Sequence, residues 1–125
     1  MKTYSGRRED GNAIVMVTTQ LPREGRTRMS TRNLAPTKSL KVRNHSPSGF
    51  NWGYGGSGPA QLALAILLDL YPERGAEWAE RYHQDFKFKI IAGLGDTWTL
   101  TQGQIDLAMA DIDPDNRTGI DRTAH

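Results

Sequence analysis

The run Ala60-Gln-Leu-Ala-Leu-Ala-Ile-Leu-Leu-Asp-Leu-Tyr71 is apolar on every side of a helix rather than along one stripe. A helix of that kind is either enclosed by the rest of the protein or inserted in a bilayer. This run is too short to span a bilayer, which takes roughly 20 residues, and it carries Gln61 and Asp69. It is expected to be a central core helix around which the other elements pack. Pro59 suits the first turn, because its ring presets φ and its missing N–H would have no helical partner there. Ser57 or Gly58 is the expected N-cap. Pro72 ends the helix by disfavouring the α conformation at the residue before it.

The stretch leading into this helix holds Gly53, Gly55, Gly56 and Gly58. Such glycines could build an anion-binding nest at a helix N-terminus. The lysine of a phosphate-binding P-loop and the dinucleotide-binding glycine pattern are both missing. The plainer reading, which we favour, has Phe50, Trp52 and Tyr54 alternating like a strand. The glycines then let the backbone turn sharply onto the helix.

The same block, Gly49-Phe50-Asn51-Trp52-Gly53-Tyr54-Gly55-Gly56-Ser57-Gly58-Pro59-Ala60-Gln61-Leu62-Ala63-Leu64-Ala65, resembles the core of a family of small proteins of unknown function. That family is spread through bacteria, archaea and their phages. The resemblance continues at Tyr82-His83-Gln84-Asp85-Phe86-Lys87 and at Trp98-Thr99-Leu100-Thr101 with Ile105, and begins more weakly at Tyr4-Ser5-Gly6-Arg7. It covers most of the chain from about 44 to 112. It implies no reaction, cofactor or catalytic residue. Its phage and mobile-element setting implies a small accessory protein that acts on host machinery.

At 125 residues the chain is expected to form one domain, over 1–112, with a modest core. It has no cysteine, which removes disulfide and thiolate chemistry and argues against a small secreted scaffold. The N-terminus, Met-Lys-Thr-Tyr-Ser-Gly-Arg-Arg, has no apolar signal core, so a soluble cytoplasmic protein is expected. The net charge of +2 is unevenly spread. Residues 1–58 hold ten Lys/Arg against three Asp/Glu, and residues 59–125 hold six against eleven. Either the N-terminal half meets a polyanion, or a basic sheet side faces an acidic helix side within the molecule.

In chain order, Lys2–Arg8 and Ala13–Thr19 read as two strands, the second rich in β-branched residues. Asp10-Gly11 marks the hairpin turn between them. Residues 20–38 lack an apolar period, contain two prolines, and read as a long flexible basic loop. Arg23, Arg26, Arg28, Arg32 and Lys38 face only Glu24 there. Interspersed Arg and Ser/Thr suit phosphate contact, although no aromatic residue is present for base stacking. Leu40-Lys-Val-Arg43 alternates as a third strand, with Lys41 and Arg43 on its exposed face.

After Pro72, residues Ala76, Trp78, Ala79, Tyr82, Phe86 and Ile90 share one face of an amphipathic helix that Gly93 and Gly95 end. Trp78 and Tyr82 are spaced to touch. Phe88 falls off the main face and is either packed elsewhere or an exposed contact. Thr101-Gln-Gly-Gln104 fits a capping box, with Leu100 and Ile105 as its hydrophobic staple. Ile105, Ala108, Met109 and Ile112 continue as a short helix stopped by Pro114. Residues 113–125 are polar and read as a disordered tail.

No catalytic motif emerges: there is no nucleophile elbow and no zinc spacing. His45, His83 and His125 are far apart in sequence with nothing to group them, and His45 reads as a turn residue. Asp69, Glu73 and Glu77 are spaced by four, but Pro72 interrupts the face they would share. Residues 111–122 begin like a calcium loop, yet Asn116 stands where the glycine belongs and Asp121 or Arg122 where the bidentate glutamate belongs.

The expected fold is α+β, a three-stranded antiparallel sheet against two to three helices. No cofactor and no metal are expected. The expected function is a non-enzymatic accessory protein of phage or mobile-element type. It would bind a host or phage protein, as in inhibition of a defence system. The alternative is a nucleic-acid-binding protein using the basic 20–45 segment. The residues expected to touch a partner are Arg23, Arg26, Arg28, Arg32, Lys38, Lys41 and Arg43.

Overall fold

The structure, a computed structural model, describes residues 1–114. Three strands come first: β1 (Lys2–Glu9), β2 (Asn12–Arg23) and β3 (Arg26–Asn33). Then follow α1 (Thr37–Val42), α2 (Ser57–Leu70), α3 (Ala76–Lys89), β4 (Trp98–Thr101) and α4 (Gln102–Ile112). Single 3₁₀ turns flank α3 at Pro72–Arg74 and Ile91–Gly93. The fold is α+β, as expected, but the antiparallel sheet has four strands in the order β3-β2-β1-β4. Among the described residues, no helix is long and apolar enough to cross a membrane.

Two tight turns make the hairpins. Asp10 and Gly11 both have positive φ (49° and 80°), as do Glu24 and Gly25 (50° and 75°). Two consecutive left-handed residues match the right-handed twist of antiparallel strands. The first turn is the expected Asp-Gly. The second corrects the reading of 20–38 as a loop: β2 runs on through Pro22, and β3 returns along it in register from Arg23↔Arg26 to Met16↔Asn33. Proline is tolerated because β1 pairs with β2 only as far as Lys2↔Thr19, so Pro22 lies where the strand has one neighbour.

The expected third strand at 40–43 is also corrected. Thr37–Val42 is the helix α1, and Arg43 is its extended C-cap. The alternating pair Leu40 and Val42 is too short to separate strand from helix. The sheet is completed by β4, which pairs with β1 from Thr3↔Thr101 to Gly6↔Trp98.

One sheet face carries Tyr4, Val15, Val17, Trp98 and Leu100, all buried. They join the core built on α2, whose residues from Gly58 to Leu67 are buried without a break. Enclosure by sheet, α1 and α3 explains why that helix is apolar all round. α2 starts earlier than expected, with Gly56 as N-cap and Pro59 at the third helical position, where its missing N–H still has no helical partner. Phe50, Trp52 and Tyr54 do not form a strand. Trp52 is buried, and Tyr54 is exposed.

The buried amide of Gln61 ties α1 and the following loop to α2. Its Oε1 accepts from the backbone N–H of His45 (2.8 Å) and Ser46 (3.1 Å). Its Nε2 donates to Ser39 Oγ (2.9 Å) and to the Arg43 carbonyl (3.1 Å). With two donors and two acceptor sites engaged, the amide is satisfied.

α3 uses part of the expected face, with Ala79 and Phe86 buried and the Trp78 and Tyr82 rings 5.7 Å apart, but Ala76 is exposed, and His83 and Lys87 are buried beside that face. The capping box of Thr101 and Gln104 is present, with Leu100 and Ile105 both buried beside it. Asp113 belongs to this packing rather than to a tail: it is buried and accepts from Trp78 Nε1 at 2.9 Å. The rest of the expected tail, the calcium-like loop from 115 onward and His125 lie outside the described residues.

Gly6 is set by packing. A Cβ there would fall 2.3 Å from the Trp98 indole, which in turn meets Trp52 edge-to-face with ring centroids 5.5 Å apart. Arg8 lies over Trp52, 4.5 Å from its ring centroid, and helps hold it against Trp98. The indole therefore has little room to move aside. Gly6→Ala should destabilise the protein by roughly 1–3 kcal/mol through overpacking. An unchanged melting temperature would mean that Trp98 gives way.

Candidate functional site

Register decides where the arginines of the second hairpin lie. Residues directly opposite in an antiparallel ladder share a face. Val17, which faces the core, pairs with Arg32, and Leu21 pairs with Arg28. Position 32 is therefore on the helix side, and so by alternation are positions 28 and 26. Arg23 pairs with Arg26 at the end of the ladder. Beyond Gln20, whose backbone still bonds Met1, the β2–β3 ribbon has no third strand among the described residues and projects as a two-stranded arm. Every residue of β3 is exposed. Leu21 is 51% exposed on the arginine side, and Met29 is 60% exposed on the other.

The arm leads into a cleft of about 740 Å³ between the sheet, α1 and the end of α2. Lys2, Arg32, Lys38 and Lys41 line it, over a floor that includes Leu34, Ala65 and Leu68. Asp69 is the carboxylate in the lining, and it is a hub. Arg32 Nη2 lies 2.5 Å from its Oδ1, and Tyr4 Oη donates to its Oδ2 at 2.6 Å. Lys2 Nζ donates to its backbone carbonyl (2.9 Å) and pairs with Oδ2 at 3.3 Å. Burial alone would raise the Asp69 carboxyl. Hydrogen bonds from Tyr4 and Arg32, with the charges of Lys2 and Arg32, outweigh it and hold the group below its ordinary value of 3.8. Burial and the same bond push the Tyr4 phenol far up, so it stays a donor.

Asp69 thus offsets Lys2 and Arg32. Among the described residues, the side chains of Lys38, Lys41, Arg26 and Arg28 have no such partner. The structure therefore brings Arg32, Lys38 and Lys41 together at the cleft and sets Arg26 and Arg28 along the arm. Arg43 is elsewhere: its Nε pairs with Glu80 Oε2 at 3.4 Å, against α3. Cations along an exposed stripe of this kind can make charge-assisted hydrogen bonds to phosphate or carboxylate groups.

The chain matches the family of unknown function DUF6166 over residues 4–111. It belongs to that family. No curated protein and no solved structure matches it. The DUF6166 match takes in the arm, the four helices up to Asp111 and all of the named cleft lining but Lys2, so arm and cleft lie almost wholly within the matched region.

Two features of this DUF6166 member escaped the sequence reading. Asp69 had a signal: it is the sole charged residue from Pro59 to Leu70. A carboxylate kept in such a run needs a partner. The other feature had none. His45 Nε2 lies 2.8 Å from His83 Nε2, although the residues are 38 apart in sequence. This corrects the expectation that no histidines group. His83 is buried, and its Nδ1 contacts the Glu80 carbonyl at 2.5 Å. A carbonyl can only accept, so Nδ1 carries the proton. Burial pushes both imidazoles below 6.5, helped at His45 by the charges of Arg43 and Lys87. Among the described residues, no group of three or more His, Asp or Glu side chains is arranged to hold a metal ion.

Proposed function

We propose that this DUF6166 protein is a non-enzymatic, cytoplasmic nucleic-acid-binding protein that grips the phosphate backbone with its arm and cleft. The observation that carries this reading is the common face of Arg26, Arg28 and Arg32 on a projecting two-stranded ribbon. That stripe continues into a cleft lined by Lys38 and Lys41, which have no ion-pair partner among the described residues. A two-stranded ribbon fits the major groove of a duplex, while cations along it meet phosphates. The absence of an aromatic residue from 20–38 favours a duplex over single strands held by stacking.

The test is fluorescence anisotropy with a short labelled duplex across a salt series. Affinity should fall steeply with salt, the logarithmic slope being about −0.9 for each phosphate neutralised. Replacing Arg26, Arg28, Lys38 and Lys41 together by alanine should flatten the slope by about 0.9 for each phosphate that the variant no longer neutralises. Binding that is unchanged in this variant would sink the reading.

A second reading keeps the arm and changes the partner. Leu21 and Met29 are exposed on opposite faces of the ribbon, and exposed apolar anchors suit a protein interface. The partner would then be a host or phage protein, and the setting implied by the family resemblance suits an accessory protein that inhibits a defence system. Pull-down from a native lysate with and without nuclease separates the two. One protein retained after nuclease supports the second reading, and recovery that vanishes with nuclease supports the first.

A further inference from the structure

We infer that His45 and His83 form a binding site for a transition-metal ion of the zinc class, separate from the basic cleft. The two Nε2 atoms converge to 2.8 Å from different elements, the loop after α1 and the middle of α3. Each ring is held by its surroundings. The Nδ1–H of His83 donates to the Glu80 carbonyl at 2.5 Å, which turns the Nε2 lone pair toward His45. A ligating histidine is characteristically oriented in this way by a hydrogen bond from its other nitrogen. His45 is positioned through its backbone N–H, bound to the buried Gln61 side chain at 2.8 Å.

The geometry is close to what a metal needs. Zinc takes imidazole nitrogen at about 2.0–2.1 Å in a tetrahedron, which places two such nitrogens roughly 3.3–3.4 Å apart. The pair must open by about half an ångström from its present spacing. His45 can provide this, because it is half-buried on a loop while His83 is anchored in a helix. The chain supplies two donors, and water fills the other positions from the exposed side. Arg43 and Lys87 oppose a cation here, while the Glu80 carboxylate, paired with Arg43 at 3.4 Å, offsets one of them. These opposing charges weaken the site and favour metals that imidazole binds strongly. The rival account of the same 2.8 Å contact is a plain N–H···N hydrogen bond with no ligand.

Calorimetric titration of the untagged protein with Zn²⁺, and separately with Ni²⁺, decides between them. The expected result is saturable binding of one ion per chain and a raised melting temperature. The Kd should weaken at least about tenfold in His45→Gln and in His83→Gln, since removing a ligand costs no less than removing its supporting partner. His45→Gln changes a half-buried loop residue and is decisive on its own if His83→Gln does not fold. Nitrogen-15 spectra of the imidazoles should show both Nε2 resonances move with zinc. No saturable binding by the wild type, or binding unchanged in His45→Gln, would leave the hydrogen bond as the whole account.

Discussion

Leu67→Ala should lower the free energy of unfolding by roughly 2–5 kcal/mol. Leu67 is fully buried in α2, and the residues before it on that helix are buried back to Gly58. Removing its isobutyl group forfeits the transfer energy of those carbons and leaves a cavity. The cavity cannot collapse easily, because α2 is held by the sheet on one side and by α1 and α3 on others. Leu68 is the internal control. It is half-buried and lines the cleft, so Leu68→Ala opens no enclosed void and should cost clearly less. Urea denaturation reads both. A lower midpoint at unchanged slope reports reduced stability, and a changed slope would report an altered denatured state instead. A Leu67→Ala midpoint equal to wild type would overturn the account of α2 as the enclosed centre of the fold.

The same residues show why some of the fold was legible and some was not. α2 could be read because enclosure on all sides demands apolarity on all sides, and no other soluble arrangement explains that composition. The Thr101–Gln104 box could be read because a cap is a local chemical requirement with fixed spacing. β3 could not. It is an edge strand exposed on both faces, so neither face carries the period-2 apolar signal from which strands are recognised. It exists because β2 offers a ladder to pair with, and Glu24-Gly25 closes the turn. β4 is four residues long, and its alternation at Trp98 and Leu100 is too brief to stand out beside the cap that follows.

The site divides in the same way. The cations of 20–43 are visible as composition, but their grouping depends on ladder register. Register sends Arg26, Arg28 and Arg32 to one side, while Arg43 goes to α3. The Asp69 hub and the histidine pair are contacts across 37 and 38 residues, which no local pattern encodes.

Asp69→Ala should cost about 2–3 kcal/mol near neutral pH, and the part of that cost due to charge should vanish in acid. The larger part comes from Tyr4, which is 0% exposed and whose hydroxyl donates to Asp69 at 2.6 Å. A buried donor left without an acceptor costs about 1–3 kcal/mol. The ion pairs contribute less, because the Arg32 side chain is about half exposed and water screens it. Asp69→Asn keeps an acceptor for Tyr4 but removes the charge, so it should cost less than alanine. The pH dependence follows from the folded carboxyl lying below its ordinary 3.8. The charge-dependent stability is fully present above that value, where the carboxyl is ionised in both the folded and the unfolded chain. It is lost as pH falls through the lower folded value, where wild type and Asp69→Asn should converge. A gap as wide in strong acid as at neutral pH would show that charge is not its source. The two roles of Asp69 should also separate. Asp69→Asn frees Lys2 and Arg32 from their counter-ion and makes the cleft more positive. It should therefore bind the labelled duplex more tightly while unfolding more easily, a pairing that a purely structural aspartate would not give.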